Sequence, residues 1–207
     1  MHKRLIISLA LIALALLPCE SDAKPAQTNT PQQSDIQDKT NEQTSTKPKH
    51  TTPTPPQLLS ELRATLTEVG SARFSVLFWD VYDSSLLTPS GTYDNSSKYL
   101  LEITYLRNIK SAVLIERTEE QWQHLGVDAI QYQNYLPQLK ALWPDIKKGD
   151  RLSLWVDSNN ASFYFNNLLS GSIDDGVFGN LFASIWLSPD TSEPKLRKKL
   201  IGQSNEK

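Results

Sequence analysis

The best candidates for chemistry in this sequence are arginine and tyrosine side chains on extended segments. Arg73 begins the segment 73–87, whose other residues are mostly apolar. A buried guanidinium needs a partner, because an unpaired charge away from water is costly. Arg73 would therefore clamp the carboxylate or phenolate of a ligand. The alternatives are an ion pair with Asp80, Asp83 or Glu102, or exposure at a sheet edge.

A second candidate anion site combines Tyr105 with Arg107. The two residues are two positions apart, so on one strand their side chains share a face. A phenol beside a guanidinium would hold a carboxylate, although a cross-strand pair with a solvated guanidinium would explain the same residues. Tyr82 would add a hydroxyl to the cleft, and Trp186 would line it together with Phe182, one helical turn away. Core packing is the alternative for these last three residues.

The remaining reactive side chains have simpler explanations. His124 precedes Gly126 at the end of a predicted helix, where the helix dipole favours a cation, so we expect a capping role. Asp174 and Asp175 precede another predicted helix and are explained as its N-terminal cap. Cys19 is the only cysteine of the chain and lies before the folded part. No metal site, cofactor or thiol nucleophile is therefore expected.

The elements that must position these residues follow from apolar spacing and turn residues. Residues 58–69 predict an opening helix that ends at Gly70, and residues 73–87 predict one central strand covered on both faces. The other predicted elements are a strand at 99–106, helices at 108–124 and 129–143, a hairpin of 151–157 with 161–165, a strand at 168–173, a helix at 177–187, and a last helix capped by Thr191 or Ser192. Pro137 would kink or split the second of these helices. This order predicts an α+β fold with a mainly antiparallel sheet.

Composition and the N-terminal segment indicate an exported protein. The 207 residues include 21 Lys and Arg against 23 Asp and Glu, which is no basic footprint for nucleic acid. Residues 1–23 have a basic start and a short apolar run, typical of a signal peptide and too short to span a membrane. Cleavage after Ala23 competes with lipidation of Cys19. We expect a periplasmic protein without a transmembrane span in its mature chain.

The mature chain is expected to begin with a linker. Residues 24–57 are rich in Pro, Thr and Gln and cannot bury enough apolar surface to offset the entropy of ordering, so they predict a disordered linker, whether a spacer or a tail. Residues 58–202 form the predicted domain, and residues 203–207 form a tail.

The domain resembles the chalcone isomerase-like proteins of bacterial envelopes. The resemblance rests on five blocks in order: ARFSVLFWDVYDSSLLTPSG from Ala72, YLLEITYLRNIK from Tyr99, RTEEQW from Arg117, LWPDIKKGDRLSL from Leu142, and GSIDDGVFGNLFASIWLSPDTSEPKLRKKLIG from Gly171. It implies a large antiparallel sheet with a layer of helices on one face, enclosing a cleft.

The resemblance implies a ligand-binding role more strongly than catalysis. Plant chalcone isomerases close a flavanone ring with an Arg and with Thr, Tyr and Asn side chains. Here the Thr hydroxyl is missing near Val76 and Leu77, and Ser184 lies near the family's late Ser or Thr. Glu120, Gln121 and Trp122 stand near the plant Tyr and Asn. Non-catalytic relatives hold a fatty-acid carboxylate by an Arg and a Tyr. The hypotheses are therefore a binding module for a small amphipathic anion, a fatty acid or a polyphenol; an isomerase with altered residues; or an envelope interaction protein without a small ligand.

Overall fold

The computed structural model describes residues 58–93, 98–158 and 160–203. The predicted signal peptide, the linker, Cys19 and most of the tail lie outside these ranges. Within the described parts, no helix has the length and apolar character that crossing a membrane requires.

One antiparallel sheet of six strands, in sequence order, forms the framework of the domain. The strands are β1 (Thr67–Val76), β2 (Trp79–Thr88), β3 (Lys98–Tyr105), β4 (Arg151–Asp157), β5 (Asn160–Phe165) and β6 (Leu168–Ile173). The helices are α1 (Leu59–Arg63), α2 (Ser111–His124), α3 (Ala129–Tyr132), α4 (Leu136–Leu142), α5 (Phe178–Leu187) and α6 (Pro194–Leu200).

The main core lies between the sheet and the later helices. Leu101, Leu154 and Phe163 are aligned across β3, β4 and β5 and are buried in this core. Helix α5 packs onto the same face through Phe178 and Phe182. This arrangement confirms the predicted α+β class and the helical layer on one face of a large antiparallel sheet.

The opposite face carries a smaller core beneath α1. Leu59 and Leu62 of this helix pack with Leu87, Leu100 and Trp155 of the sheet. The sequence therefore places one short helix on the face that the main helical layer does not cover.

The prediction of one central strand over residues 73–87 was wrong. The chain turns back at Leu77 and Phe78, so that Val76 pairs with Trp79 and β1 lies at one end of the strand order. Leu77 adopts φ 54°, a region in which glycine or asparagine usually marks a turn. Two large apolar residues occupy the turn instead, so the sequence carried no turn signal.

The opening helix is shorter than its apolar spacing predicted. It ends at Arg63, and Leu66 and Val69 belong to different cores, Leu66 packing against the α1 cluster and Val69 against the main core. Gly70 lies within β1 and does not end the helix. A Cβ on Gly70 would stand 2.1 Å from the carbonyl oxygen of Lys199, so glycine allows α6 to pack directly on β1.

Two of the predicted helices also change at their ends. Pro137 lies in the first turn of α4, and the predicted 129–143 helix is split into α3 and α4 as that proline suggested. Helix α2 begins at Ser111, where the Asp145 carboxylate accepts the backbone N–H. Thr118 lies inside α2 and donates to the Leu114 carbonyl.

Candidate ligand-binding site

Three of the predicted site residues meet on the core face of the sheet. Tyr82 in β2 is aligned with Tyr105 in β3, and their rings meet edge to face with centroids 6.2 Å apart. Trp186 in α5 donates its indole N–H to the Tyr82 phenol oxygen at 3.0 Å. We call Tyr82, Tyr105 and Trp186 the phenol cluster.

Strand and helix periodicity bring the phenol cluster together. On β3, the side chains of Leu101, Ile103 and Tyr105 alternate toward the main core, as the sequence predicted. On α5, Phe182 and Trp186 are one turn apart and their rings lie 5.5 Å from each other. The aromatic stripe of α5 therefore faces the end of the sheet where β3 finishes.

Aromatic rings enclose the cluster on two sides. Phe74 of β1 stacks on Tyr82 with centroids 5.1 Å apart and planes 27° from parallel. Phe182 packs between Trp186 and the Trp143 ring. The walls are apolar, and Tyr82 and Trp186 remain half-buried, so the cluster lies at the margin of the core.

Burial keeps both phenols protonated. Loss of water raises the pKa of Tyr82 and of Tyr105 well above the ordinary tyrosine value. Like an ordinary tyrosine, each phenol is a neutral hydrogen-bond donor at neutral pH, and burial favours that form further. Among the described residues, neither phenol proton has an acceptor, since the Tyr82 oxygen only accepts from Trp186.

Glu193 is a site residue that the sequence analysis missed. Its carboxylate contributes to the raised pKa of Tyr82 through charge repulsion, so the two groups lie near each other. Burial also raises the pKa of Glu193 itself. The only sequence signal was its position after Thr191 and Ser192, which marked the region as a helix cap and not as a site.

Arg117 on α2 carries a buried polar atom, Nε, without a partner, and among the described residues its side-chain contact is with Glu120 and not with the phenol cluster. Gln121, one turn later on α2, accepts from the Ser192 hydroxyl at 2.7 Å, beside Glu193. Helical spacing puts Arg117 on the edge of the buried stripe of α2.

Arg73 does not join the phenol cluster. It lies on the outer face of β1 with 53% of its side chain exposed. Its guanidinium binds Asp83 through two hydrogen bonds of 2.7 and 2.9 Å, and Asp80 through one of 2.9 Å. Hydrogen bonds and charges from these acids, Asp83 foremost, raise the pKa of Arg73. The structure thus shows the ion pairs that the sequence offered as the alternative to a ligand clamp.

Arg107 is also separated from the cluster. Tyr105 and Arg107 were predicted to share one strand face. Strand β3 ends at Tyr105, so Arg107 lies beyond the strand and the two residues do not share a face. The guanidinium carbon of Arg107 lies 4.3 Å from the centre of the Trp79 ring, at the tip of the β1–β2 hairpin. The roles of Arg73 and Arg107 in ligand binding stay predictions, and this structure gives both side chains other neighbours.

The residues considered for catalysis have structural contacts. Ser184 donates to the Leu181 carbonyl within α5, and Trp122 donates its indole N–H to the same carbonyl. His124 is exposed at the last position of α2. Asp175 accepts from the Val177 backbone N–H and from the Tyr135 hydroxyl, close to the capping role predicted for the Asp pair.

A metal site is not evident in the part of the chain that the structure covers. No group of three or more His, Cys, Asp and Glu side chains there could hold an ion.

Comparison with known proteins identifies the family. The model of the chalcone isomerase-like family matches residues 59–202, which is most of the chain. The chain belongs to the chalcone isomerase-like family. An uncharacterised protein of Haemophilus influenzae is 24% identical to this chalcone isomerase-like chain over 137 residues, 66% of this chain and 68% of the relative.

A solved structure shares the fold of this chalcone isomerase-like domain. It is the crystal structure of a fatty-acid binding protein of Arabidopsis thaliana, with a TM-score of 0.52. The match is 12% identical and covers 67% of this chain and 87% of the plant chain. Because the sequence identity is only 12%, this likeness shows a shared fold and nothing further. The phenol cluster itself can present neutral O–H donors between apolar walls, which suits an oxygen acceptor attached to an apolar body.

Proposed function

We propose that this domain binds a small amphipathic anion, of the fatty-acid or polyphenol kind, with its acidic oxygen at the hydroxyls of Tyr82 and Tyr105. The observation that carries the proposal is the pair of protonated phenols without an acceptor for either proton among the described residues. The Tyr105 hydroxyl oxygen is not among the buried atoms without a partner, so it is open to solvent or to a ligand. A ligand oxygen would supply the missing acceptor.

The apolar part of such a ligand would lie along the aromatic rings. Phe74, Phe182 and Trp186 border the hydroxyls and offer carbon surface to an acyl chain or to a second aromatic ring. Burial of a chain is favourable by about 0.8 kcal/mol for each methylene group. The fatty-acid binding activity of the plant protein with this fold supports the same class of ligand.

Glu193 would make binding depend on pH. Its carboxylate lies near Tyr82, so its negative charge opposes an anionic ligand, and burial raises its pKa. Protonation of Glu193 removes that repulsion. We therefore expect tighter binding in mildly acidic buffer than above neutral pH, and a flatter pH profile in Glu193→Gln.

The test is fatty-acid binding by the purified protein and by single phenol variants. Tyr82→Phe and Tyr105→Phe each remove one donor while keeping the ring, and each should weaken binding of a long-chain fatty acid by roughly tenfold, in line with about 1.4 kcal/mol. Tyr99→Phe is the matched control, because Tyr99 lies on the same face of β3 but its hydroxyl bonds to Asn180 at 3.0 Å. Equal losses in all three variants would count against the proposal.

The same purified protein also tests the two alternative functions, an isomerase and an interaction protein without a small ligand. Incubation with naringenin chalcone that gives flavanone above the uncatalysed rate would support an isomerase. If neither fatty acids nor polyphenols raise the thermal midpoint of unfolding, the result favours an interaction protein without a small ligand. Native mass spectrometry of protein from its own cell envelope would identify a ligand that co-purifies.

The location belongs to the proposal as well. The apolar segment and its basic flank predict export to the periplasm, with lipidation of Cys19 as the alternative to cleavage after Ala23. Fractionation of cells that produce the full chain should place it in the periplasm. Mass spectrometry of the N-terminal peptide, compared with a Cys19→Ala chain, distinguishes an acylated from a cleaved product.

A further inference from the structure

The tip of the β1–β2 hairpin exposes three consecutive large apolar residues. Leu77 is 87% exposed, Phe78 is 97% exposed and Trp79 is 52% exposed. We call these three residues the apolar tip. Single exposed apolar residues are ordinary, whereas a contiguous group of them marks an interaction site.

The geometry of the turn does not require these residues. Leu77 has φ 54° at the first position of a two-residue connection between Val76 and Trp79. Glycine is the usual residue at such a position, because a side chain there is strained. The tip thus combines a strained backbone with exposed apolar surface, although a Gly or Asn turn would relieve both.

Charged groups follow the apolar tip in a definite order. The Arg107 guanidinium lies over the Trp79 ring at 4.3 Å. Among the described residues, Arg107 has no carboxylate partner, so its charge is available to an external anion. Asp80, directly after Trp79, and Asp83 farther along β2 both pair with Arg73, so this group of three carries one net negative charge beside the single positive charge of Arg107.

This order matches the depth profile of a lipid bilayer. Leu and Phe suit the acyl region, and Trp suits the interface between acyl chains and headgroups. An Arg next to that Trp can reach the phosphate of a lipid headgroup, with its aliphatic part on apolar surface. We propose that the apolar tip docks the domain onto a phospholipid surface, with Leu77 and Phe78 inserted and Arg107 on a headgroup phosphate.

The size of the apolar tip favours lipid over a protein partner. Large apolar side chains bury about 150–250 Å² each, and because Trp79 is only 52% exposed, the apolar tip offers roughly 500 Å² in all. A stable protein interface buries about 800 Å² on each partner. A two-residue turn is also convex, so a protein partner would need a matching pocket, whereas a bilayer admits the tip without one.

Membrane docking would bring the phenol cluster near the lipid. Tyr82 follows Trp79 by three residues on β2, which is about 10 Å of strand. The inference stands on the hairpin alone and does not depend on the ligand proposal, because vesicle binding can be measured without a fatty acid present.

The deciding experiment places a probe on the tip of the full chain. A Phe78→Cys substitution in a Cys19→Ser chain carries a polarity-sensitive dye, and an Ile130→Cys chain carries the same dye at another exposed apolar position (72% exposed). With vesicles of phosphatidylcholine and phosphatidylglycerol, the dye at position 78 should shift to the blue and be quenched by brominated acyl chains. The dye at position 130 should remain in water. A dye at position 78 that remains in water overturns the inference.

A second variant separates docking from folding. Leu77→Gly with Phe78→Asn gives the hairpin a favourable turn, so the thermal midpoint should stay equal or rise. Partition of this variant onto the vesicles should fall by at least roughly tenfold, and Arg107→Gln should weaken partition less. Unchanged partition in the turn variant contradicts the proposal. A dimer in sedimentation velocity that the turn variant dissolves, with no vesicle effect on the dye, would assign the tip to a second copy of the chain.

Discussion

The indole N–H of Trp186 donates a hydrogen bond of 3.0 Å to the phenol oxygen of Tyr82, two residues that are 104 positions apart. This bond joins α5 to β2 across the margin of the core. Tyr82 is also stacked on Phe74 and in edge contact with Tyr105. The phenol is therefore held by its oxygen and by two neighbouring rings.

The Trp186–Tyr82 bond should be measurable as a coupling energy. Trp186→Phe and Tyr82→Phe each remove one partner and should lower the free energy of unfolding by about 0.5–1.5 kcal/mol. The double variant should cost less than the sum of the two, with a coupling of about 1 kcal/mol. Urea denaturation of the four proteins gives the cycle. Strict additivity would mean that the bond contributes nothing to stability.

Glu193 should make stability depend on pH. Burial raises its pKa above the ordinary value of 4.5, so the carboxyl is easier to protonate in the folded chain. The stability that this raised pKa contributes is complete below pH 4.5 and is lost as pH rises through the folded pKa. Glu193→Gln removes the buried charge and should unfold at higher denaturant near neutral pH, with a difference that shrinks below pH 4.5.

A favourable helix-dipole interaction of Glu193 would make Glu193→Gln less stable near neutral pH, and not more stable. The residue precedes α6, where a negative charge is favoured. Burial raises the pKa of Glu193 and therefore acts against any such dipole effect. A Glu193→Gln protein that is less stable at neutral pH than the natural chain would show that the dipole term dominates.

Much of the fold could be predicted because its later elements carry regular signals. The alternation in β4 and β5, the proline that splits α3 from α4, and the aromatic stripe of α5 each lie where the sequence indicated. The β1–β2 hairpin could not be predicted, since Leu77 and Phe78 are not turn residues. The local sequence pattern therefore did not predict the β1–β2 turn, because the pairing of two long strands holds a strained turn that has no turn residues.

The candidate site was predicted only for those residues that lie on regular strands and helices. Tyr82, Tyr105 and Trp186 are large aromatic residues on regular elements, so periodicity brought them to one face. The predicted burial of Arg73 depends on a single central strand over residues 73–87, and the exposed edge hairpin of the structure removes that premise. Glu193 reaches the region through the packing of the segment that precedes α6, for which the sequence carries no spacing signal.

Gly70 should not tolerate a side chain. An added Cβ would lie 2.1 Å from the Lys199 carbonyl oxygen and 2.9 Å from that of Leu200. Both atoms belong to backbone, so α6 would have to move away from β1. Gly70→Ala should lower the free energy of unfolding by about 1–3 kcal/mol, measured by urea denaturation. Gly126→Ala is a useful comparison, because a Cβ there meets nothing within 4 Å and only its φ of 72° is strained.

Glu102 links α1 to the sheet on the face opposite the phenol cluster. The residue is 4% exposed, and its carboxylate binds Arg63 of α1 at 2.9 Å and Arg151 of β4 at 3.0 Å. The two arginine side chains are 45% and 38% exposed, so either can return to water if the pair breaks. The buried carboxylate cannot, and it depends on at least one of them.

The two arginines should therefore act non-additively on stability. Arg63→Ala and Arg151→Ala should each cost about 1 kcal/mol, because the other arginine still compensates Glu102. The double variant leaves a buried charge without a counter-ion and should cost about 3–5 kcal/mol. Adding Glu102→Gln to the double variant removes that charge and should restore part of the loss. Urea denaturation of these chains decides the matter, because a triple variant that is less stable than the double one would mean that the arginines act by packing and not by charge.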